Sequence, residues 1–375
     1  MFNSNTSFKK YVSIHSEDRD MLKYPSSSAF AIELPNDIQN VKAIRLVDWA
    51  FPSNYNTFSK SLQNIVIKFK INTPFNPQKT SIYNHLNEDS YIALFYNKNY
   101  EYTIEISEGF YTPQQMANEL TNKFNEAVNQ KIVDFFNSRL PSSNDDLPTL
   151  FSQYHFVESI ESIKNNPYND FIFAYDEVKQ KMMIGNRKDG FIMMNSSLFD
   201  ISYLQERKYK EFNNWGLPSH LGLNMTDDVS KEQTNVLPRF YHMEGDDGYW
   251  LPSYGDDVKV QFIEPKEKIN LFGPSYFYLE CAGLNCIDET SPYEMNEYTM
   301  TNTSTNSRVR SALAKIPIPS TPISQYFDTN TNYCVAVDKR SRLSKLVFKL
   351  RYHNGELVSF GRFEYSFTIE FIMTA

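Results

Sequence analysis

Runs in which apolar and polar residues alternate recur along this chain, and they constrain its fold more than any other feature. "NIVIKFKI" places Ile65, Ile67, Phe69 and Ile71 on one face, with Lys68 and Lys70 on the other. "YEYTIEI" sets Tyr102, Ile104 and Ile106 against Glu101, Thr103 and Glu105. "AFAIELP" aligns Phe30, Ile32 and Leu34. In "RFEYSFTIEF", Phe363, Tyr365, Phe367, Ile369 and Phe371 alternate with Glu364, Ser366, Thr368 and Glu370. Successive strand side chains point to opposite faces, so these runs predict half-buried β-strands. The polar face of the last run is expected to meet water or a partner. "VKAIRLVDWAFP" is apolar on both faces apart from Lys42, Arg45 and Asp48, and reads as a central strand ended by Pro52.

One segment has a helical period. In "YTPQQMANELTNKFNEAVNQKIVDFF", Met116, Leu120, Phe124, Val128 and Ile132 form a stripe at spacings of four. Thr112 is a suitable N-cap, Pro113 suits the first helical position, and Gln115 completes a capping-box pattern. The stripe predicts packing on a sheet. "FIFAYDEVKQKMMIGN" predicts a hairpin turning at "DEVK", "KDGFIMMN" a further short strand, and Tyr276 to Cys281 another. Asn354-Gly355 sits between two strand-like runs and predicts a tight turn, since both residues tolerate positive φ. The fold class expected is mainly β: a jelly-roll-type antiparallel β-sandwich, single or two in tandem, with one amphipathic helix near 113–136. The loop-like "FNNWGLPSHLGLNM" suggests a boundary between 1–215, an N-terminal sandwich with the helix inserted, and 216–375, a C-terminal sandwich. A single composite domain is the alternative.

Composition narrows the function. The net charge of -8 argues against coating a nucleic acid, which needs clustered Lys and Arg. No apolar stretch is long enough to span a bilayer, and "MFNSNTSFKKYV" has no signal-peptide core. Cys281, Cys286 and Cys334 form no Cys-x-x-Cys pair and read as reduced thiols. The polar segment from Met1 to about Lys10 reads as an arm that orders on a neighbour. Aromatics make up 15% of the chain and suit core and subunit contacts.

Catalytic motifs are missing. There is no nucleophile elbow, phosphate-binding Gly-rich loop or His-Glu-x-x-His, and no cofactor or catalytic residue is expected. The acidic loops "EGDDGYW" and "YGDDVK", near 244–257, carry carboxylates that suit a hard cation, yet lack EF-hand spacing and suit ordinary turns. The densest cluster of ionisable groups is "SIHSEDRDMLKYP", with His15, Glu17, Asp18 and Asp20 around Arg19. In an extended segment Asp18 and Arg19 would point to opposite faces. The expectation is therefore a structural turn at Asp18 and Arg19. Ser16 or Asp18 would bond local backbone and Arg19 would reach a carboxylate or carbonyl. No metal is expected there.

Four stretches, in order, resemble the minor capsid, or virion structural, proteins of nucleocytoplasmic large DNA viruses. They are "YVSIHSEDRDMLKYPSSSAFAIELP", "IQNVKAIRLVDWAFPSNYNTF", "ISEGFYTPQQMANELTNKFN" and the closing "LSKLVFKLRYHNGELVSFGRFEYSFTIEF", where Tyr365 stands in place of a frequent His. The resemblance covers both ends and the first third; 137–310 matches loosely. It implies a non-enzymatic jelly-roll protein of a large icosahedral capsid, linking major capsid capsomers and other minor capsid proteins. It also implies a place in the virion, assembled in the host cytoplasm, with the inner membrane side of the shell as a further contact and no direct nucleic-acid partner. A vertex (penton) protein, a surface module binding glycans or a host, and an enzyme on a β-sandwich are the rival expectations.

Overall fold

The computed structural model describes residues 7–52, 57–60, 62–72, 93–94, 97–139, 161, 163–198, 215–233, 250–254, 259–285, 287, 312–318, 326–328, 334–353 and 357–374. The chain is mainly β, built of antiparallel sheets in jelly-roll-type sandwich architecture, with few helices. It divides into two compact units. A split unit joins Met1–Thr57 to Phe272–Ala375, and an inserted unit comprises Phe58–Leu271. The boundary expected at 215/216 thus falls inside the inserted unit. The physical reason is that strands from the two chain ends pair with each other, a non-local match that loop composition does not report.

Among the described residues the split unit is one seven-stranded sheet. Its strands are β1 (Ser7–His15), β2 (Ala29–Phe51), β11 (Tyr276–Cys281), β12 (Ala314–Pro317), β13 (Tyr326–Asp328), β14 (Cys334–Arg351) and β15 (Ser366–Thr374). The order is β1-β15-β2-β14-β11-β12, with β13 also paired to β2. β2 is central, and its register explains why it reads as apolar on both faces. Against β15, Val47 and Lys42 are extra residues. Asn40 takes positive φ, at 55°. Each bulge shifts the side-chain phase, so the buried set runs Ile38, Val41, then Ile44 and Leu46, then Trp49 and Phe51. Against β14, β2 bulges between Glu33 and Ile38, and β15 reaches β2 only as far as Val41, so Pro35 sits in a bulged stretch paired on one side, where a proline is accommodated. Phe30, Phe51, Phe348, Phe367 and Tyr365 fill its core with Ile14, Leu279 and Ile316.

Two expectations need correction. Ser7 to Lys10 belong to β1 and pair with Thr374 to Phe371. Phe363 lies outside β15, in a turn where its N–H bonds the Phe360 carbonyl, and it is 49% exposed.

The inserted unit holds two four-stranded sheets, β4-β3-β7-β8 and β5-β6-β10-β9. These are β3 (Val66–Ile71), β4 (Tyr102–Glu105), β5 (Phe171–Asp176), β6 (Lys181–Asn186), β7 (Phe191–Met193), β8 (Asp228–Val229), β9 (Lys231–Gln233) and β10 (Val260–Ile263). Both sheets and the helix α1 (Pro113–Arg139) contribute to one core. The capping box forms as the sequence predicts: the Gln115 N–H donates to Thr112 Oγ1 and the Thr112 N–H to Gln115 Oε1. Every residue of the predicted stripe is buried. Phe124 lies 4.3 Å from Phe69 and 4.7 Å from Phe173, centroid to centroid. β5 is an edge strand, and α1 closes part of that edge with side chains. Asn125 Nδ2 donates to the Phe171 carbonyl, Asn125 Oδ1 accepts from the Phe171 N–H, and Thr121 Oγ1 accepts from the Phe173 N–H. No described helix is long and apolar enough to cross a membrane.

Candidate interaction site

The cluster around Arg19 is where β1 ends. His15 leaves the strand and Ser16–Asp18 form one 3-10 turn, so the segment is not extended. Ser16 is fully buried and acts as a hub. Its N–H donates to the Tyr365 carbonyl, its Oγ accepts from the Tyr365 N–H at 2.8 Å, and its hydroxyl donates to Glu364 Oε2 at 2.5 Å. Arg19 Nη1 donates to Glu364 Oε2 and to the Ser16 carbonyl, both at 2.6 Å. Its Nε reaches the Tyr24 carbonyl at 3.0 Å, and its Nη2 approaches the Pro25 carbonyl at 3.5 Å. The Tyr365 hydroxyl donates to the Ser27 carbonyl at 2.6 Å, and burial pushes that phenol well above its ordinary pKa.

The Arg19 guanidinium is thus committed to one carboxylate and three carbonyls, and holds the loop from Ser16 to Pro25 against the turn before β15. Asp18 is exposed at the end of the 3-10 turn. Local backbone is bonded by Asp20: its Oδ1 accepts from the Leu22 and Lys23 N–H groups, a short Asx-type turn. Ser16 bonds residues remote in sequence instead. Among the described residues no group of His, Cys, Asp and Glu is arranged to hold a metal. Asn354-Gly355 and most of the acidic loops near 244–257 lie outside the described residues; beside the former, Arg351 and Leu357 form an antiparallel bridge. The loop that Arg19 holds has an apolar tip. Leu22 is 100% exposed, Met21 is exposed beside it, and the exposed Phe363 adjoins Glu364 in sequence.

A second buried polar cluster was not anticipated from the sequence. In the inserted unit Lys188 Nζ lies 2.8 Å from Asp170 Oδ2, with both side chains almost fully buried. The Tyr168 hydroxyl donates to Asp189 Oδ2 and accepts from Asn186 Nδ2. The Tyr254 hydroxyl donates to Asp170 Oδ1 at 2.6 Å. Burial opposes the Lys188 charge, but Asp170 and Asp189 outweigh it and hold its pKa above the ordinary value. Lys188 therefore stays protonated and is no nucleophile. Burial, then Asp189 and Asp170, raise the Tyr168 phenol likewise. The available signal was "NRKDG": Asn186 Oδ1 accepts from the Lys188 and Asp189 N–H groups, closing the turn that brings Lys188 and Asp189 into the cluster.

A third group lies on β1 and β15. Glu370 is 2% exposed, accepting from the Tyr11 hydroxyl and Lys9 Nζ, both at 2.8 Å. The Lys9 hydrogen bond holds its carboxyl below the ordinary pKa despite burial. The polar face of β15, expected to meet water or a partner, is covered by β1 at this position.

No protein-family model and no curated protein sequence matches this chain. Among solved structures it is similar to the mavirus penton protein, with 8% identity and a TM-score of 0.36 over 98% of this chain and 99% of that one. It is also similar to a chain of the Sputnik virophage structure, with 12% identity and a TM-score of 0.40 over 97% and 98%. Both scores are low, and the functional reading rests on the chain's own residues.

Proposed function

We propose that this chain is a structural component of a large icosahedral virus capsid, a minor capsid protein that links major capsid capsomers and other minor proteins. Its place would be the virion, assembled in the host cytoplasm, with the inner membrane side of the shell as a further neighbour. One observation carries the reading. A buried arginine clamp joins the first and last of the four resembling stretches and holds Met21, Leu22 and Phe363 outward. These bonds fix the loop, so its exposed apolar residues are presented to solvent in one arrangement. It suits the centre of a protein contact, where a few apolar anchors carry most of the energy. In this reading Asp18 and Arg19 are residues of a structural turn, and the same role is proposed for Asn354 and Gly355.

The test is the particle itself. Mass spectrometry of purified virions should contain this chain, and density in the intact shell should place it between capsomers, with Leu22 against a neighbour. Density at the five-fold vertices would make it a vertex protein instead. Saturable glycan binding by a chain that purified particles lack would replace the capsid reading with a surface binding module.

A further inference from the structure

We infer that the outer edge of β1 joins two copies of this chain through an antiparallel β1–β1 pair centred on Tyr11. β1 ends its sheet, and among the described residues no strand pairs with its far edge. Open N–H and C=O groups along nine residues form a template for another strand. Even-numbered residues of β1 face the core. Ile14 is buried and Val12 packs on the core, but Phe8, on the same face, is 53% exposed. The core thins along the strand and leaves a phenylalanine with little against it.

The occupant is a second copy because β1 complements itself in one register. Keeping the apolar faces together requires even residues opposite even ones. With Tyr11 opposite Tyr11, Phe8 falls opposite Ile14, Lys10 opposite Val12, Lys9 opposite Ser13 and Ser7 opposite His15, so the whole strand pairs. A slip that centres the pair on Lys10 sets Lys10 against Lys10, and one centred on Lys9 sets Lys9 against Lys9. Like charges directly opposite are destabilising. A slip centred on Val12 leaves Phe8 beyond the paired stretch. An edge lysine ordinarily discourages such pairing. Here the Lys9 ammonium is held by Glu370 of its own sheet at 2.8 Å. The pair would run the two sheets together and cover Phe8. The inference does not depend on the capsid reading.

The full chain in sedimentation velocity should show a concentration-dependent dimer, weakened about tenfold or more by Phe8→Asp. Tyr11→Cys should give a covalent dimer on mild oxidation. Ser7→Cys should not, because His15 stands opposite it. The parent chain, oxidised alongside, accounts for its native thiols. Thermal melts check that each variant folds; should Phe8→Asp fail to fold, the cysteine pair of variants decides. A monomer at every concentration up to the solubility limit overturns the inference. So does a dimer that folded Phe8→Asp does not weaken, or one in which Ser7→Cys links as readily as Tyr11→Cys.

Discussion

Arg19–Glu364 and Arg342–Asp37 have the same 2.6 Å separation and different worth. The Arg19 side chain is 7% exposed and serves three carbonyls besides the carboxylate, whereas Arg342 is 69% exposed. Glu364 is itself 30% exposed, so the cost of removing Arg19 lies chiefly in the Ser16 and Tyr24 carbonyls that lose its N–H groups, about 1–3 kcal/mol each. An exposed pair contributes about 0.5 kcal/mol, less in salt. Denaturant unfolding should therefore show Arg19→Ala strongly destabilised and Arg342→Ala nearly unchanged. A similar contrast holds for glycines. Both Gly222 and Gly361 take positive φ, at 79° and 61°, which strains any side chain, but a Cβ on Gly222 would also run into the Glu267 carbonyl oxygen, while Gly361 has open space. Gly222→Ala should cost more than about 1 kcal/mol by the same measurement. At this scale the sequence was informative about type and poor about partner. Arg19 amid carboxylates announced a bond, but nothing near it in sequence named Glu364. Glu370 looked solvent-facing because alternation reports the face of a strand and not what a neighbouring strand lays over it.

Among elements, local pattern was most legible where one face alone decides. The stripe of α1 and the alternation of β3 and β4 survive in the structure because each of those elements buries one side. β2 was harder: its bulges let an apparently two-faced strand bury a single, re-phased set of residues. What α1 does for β5 was invisible, since Thr121 and Asn125 read as ordinary polar positions beside the stripe. Asn125→Leu keeps the volume and leaves the buried N–H and C=O of Phe171 without their partner. It should cost about 3 kcal/mol, and amide exchange should rise first at Phe171. β1 is expected to be acid-sensitive. Glu370 titrates below its ordinary value of 4.5, so its contribution is full above that value and is lost as pH falls through the lower, folded one. Amide exchange measured downward from neutral pH should loosen β1 relative to β3 only below about 4.5.

For the whole molecule, two separate cores predict two acid transitions. In the inserted unit His220 is buried, its Nδ1 2.7 Å from the Asn270 carbonyl oxygen, and burial lowers its pKa below the ordinary 6.5. The unfolded chain takes up that proton first, so the stability of this unit is full above 6.5 and declines as pH drops through the folded value. The split unit contains Trp49, and the inserted unit Trp215 and Trp250. A variant with Phe at 215 and 250 should show its fluorescence transition at lower pH than one with Phe at 49. Equal midpoints would show that the units unfold as one.

The pairing of both chain ends in one sheet also sets a timetable. β15 lies between β1 and β2, so those two strands wait for a neighbour that is synthesised much later than they are. Roughly 300 residues separate them, which at about 5–20 residues per second is a delay of some fifteen to sixty seconds on the ribosome. During that interval β2 emerges with apolar side chains and no mate, while the inserted unit has all its strands in hand and can close. The order of completion is therefore the reverse of the order of appearance, and a newborn chain passes through a state with a finished middle and two open ends. Deletion of β15, Ser366–Thr374, would leave β1 and the facing edge of β2 without their neighbour permanently.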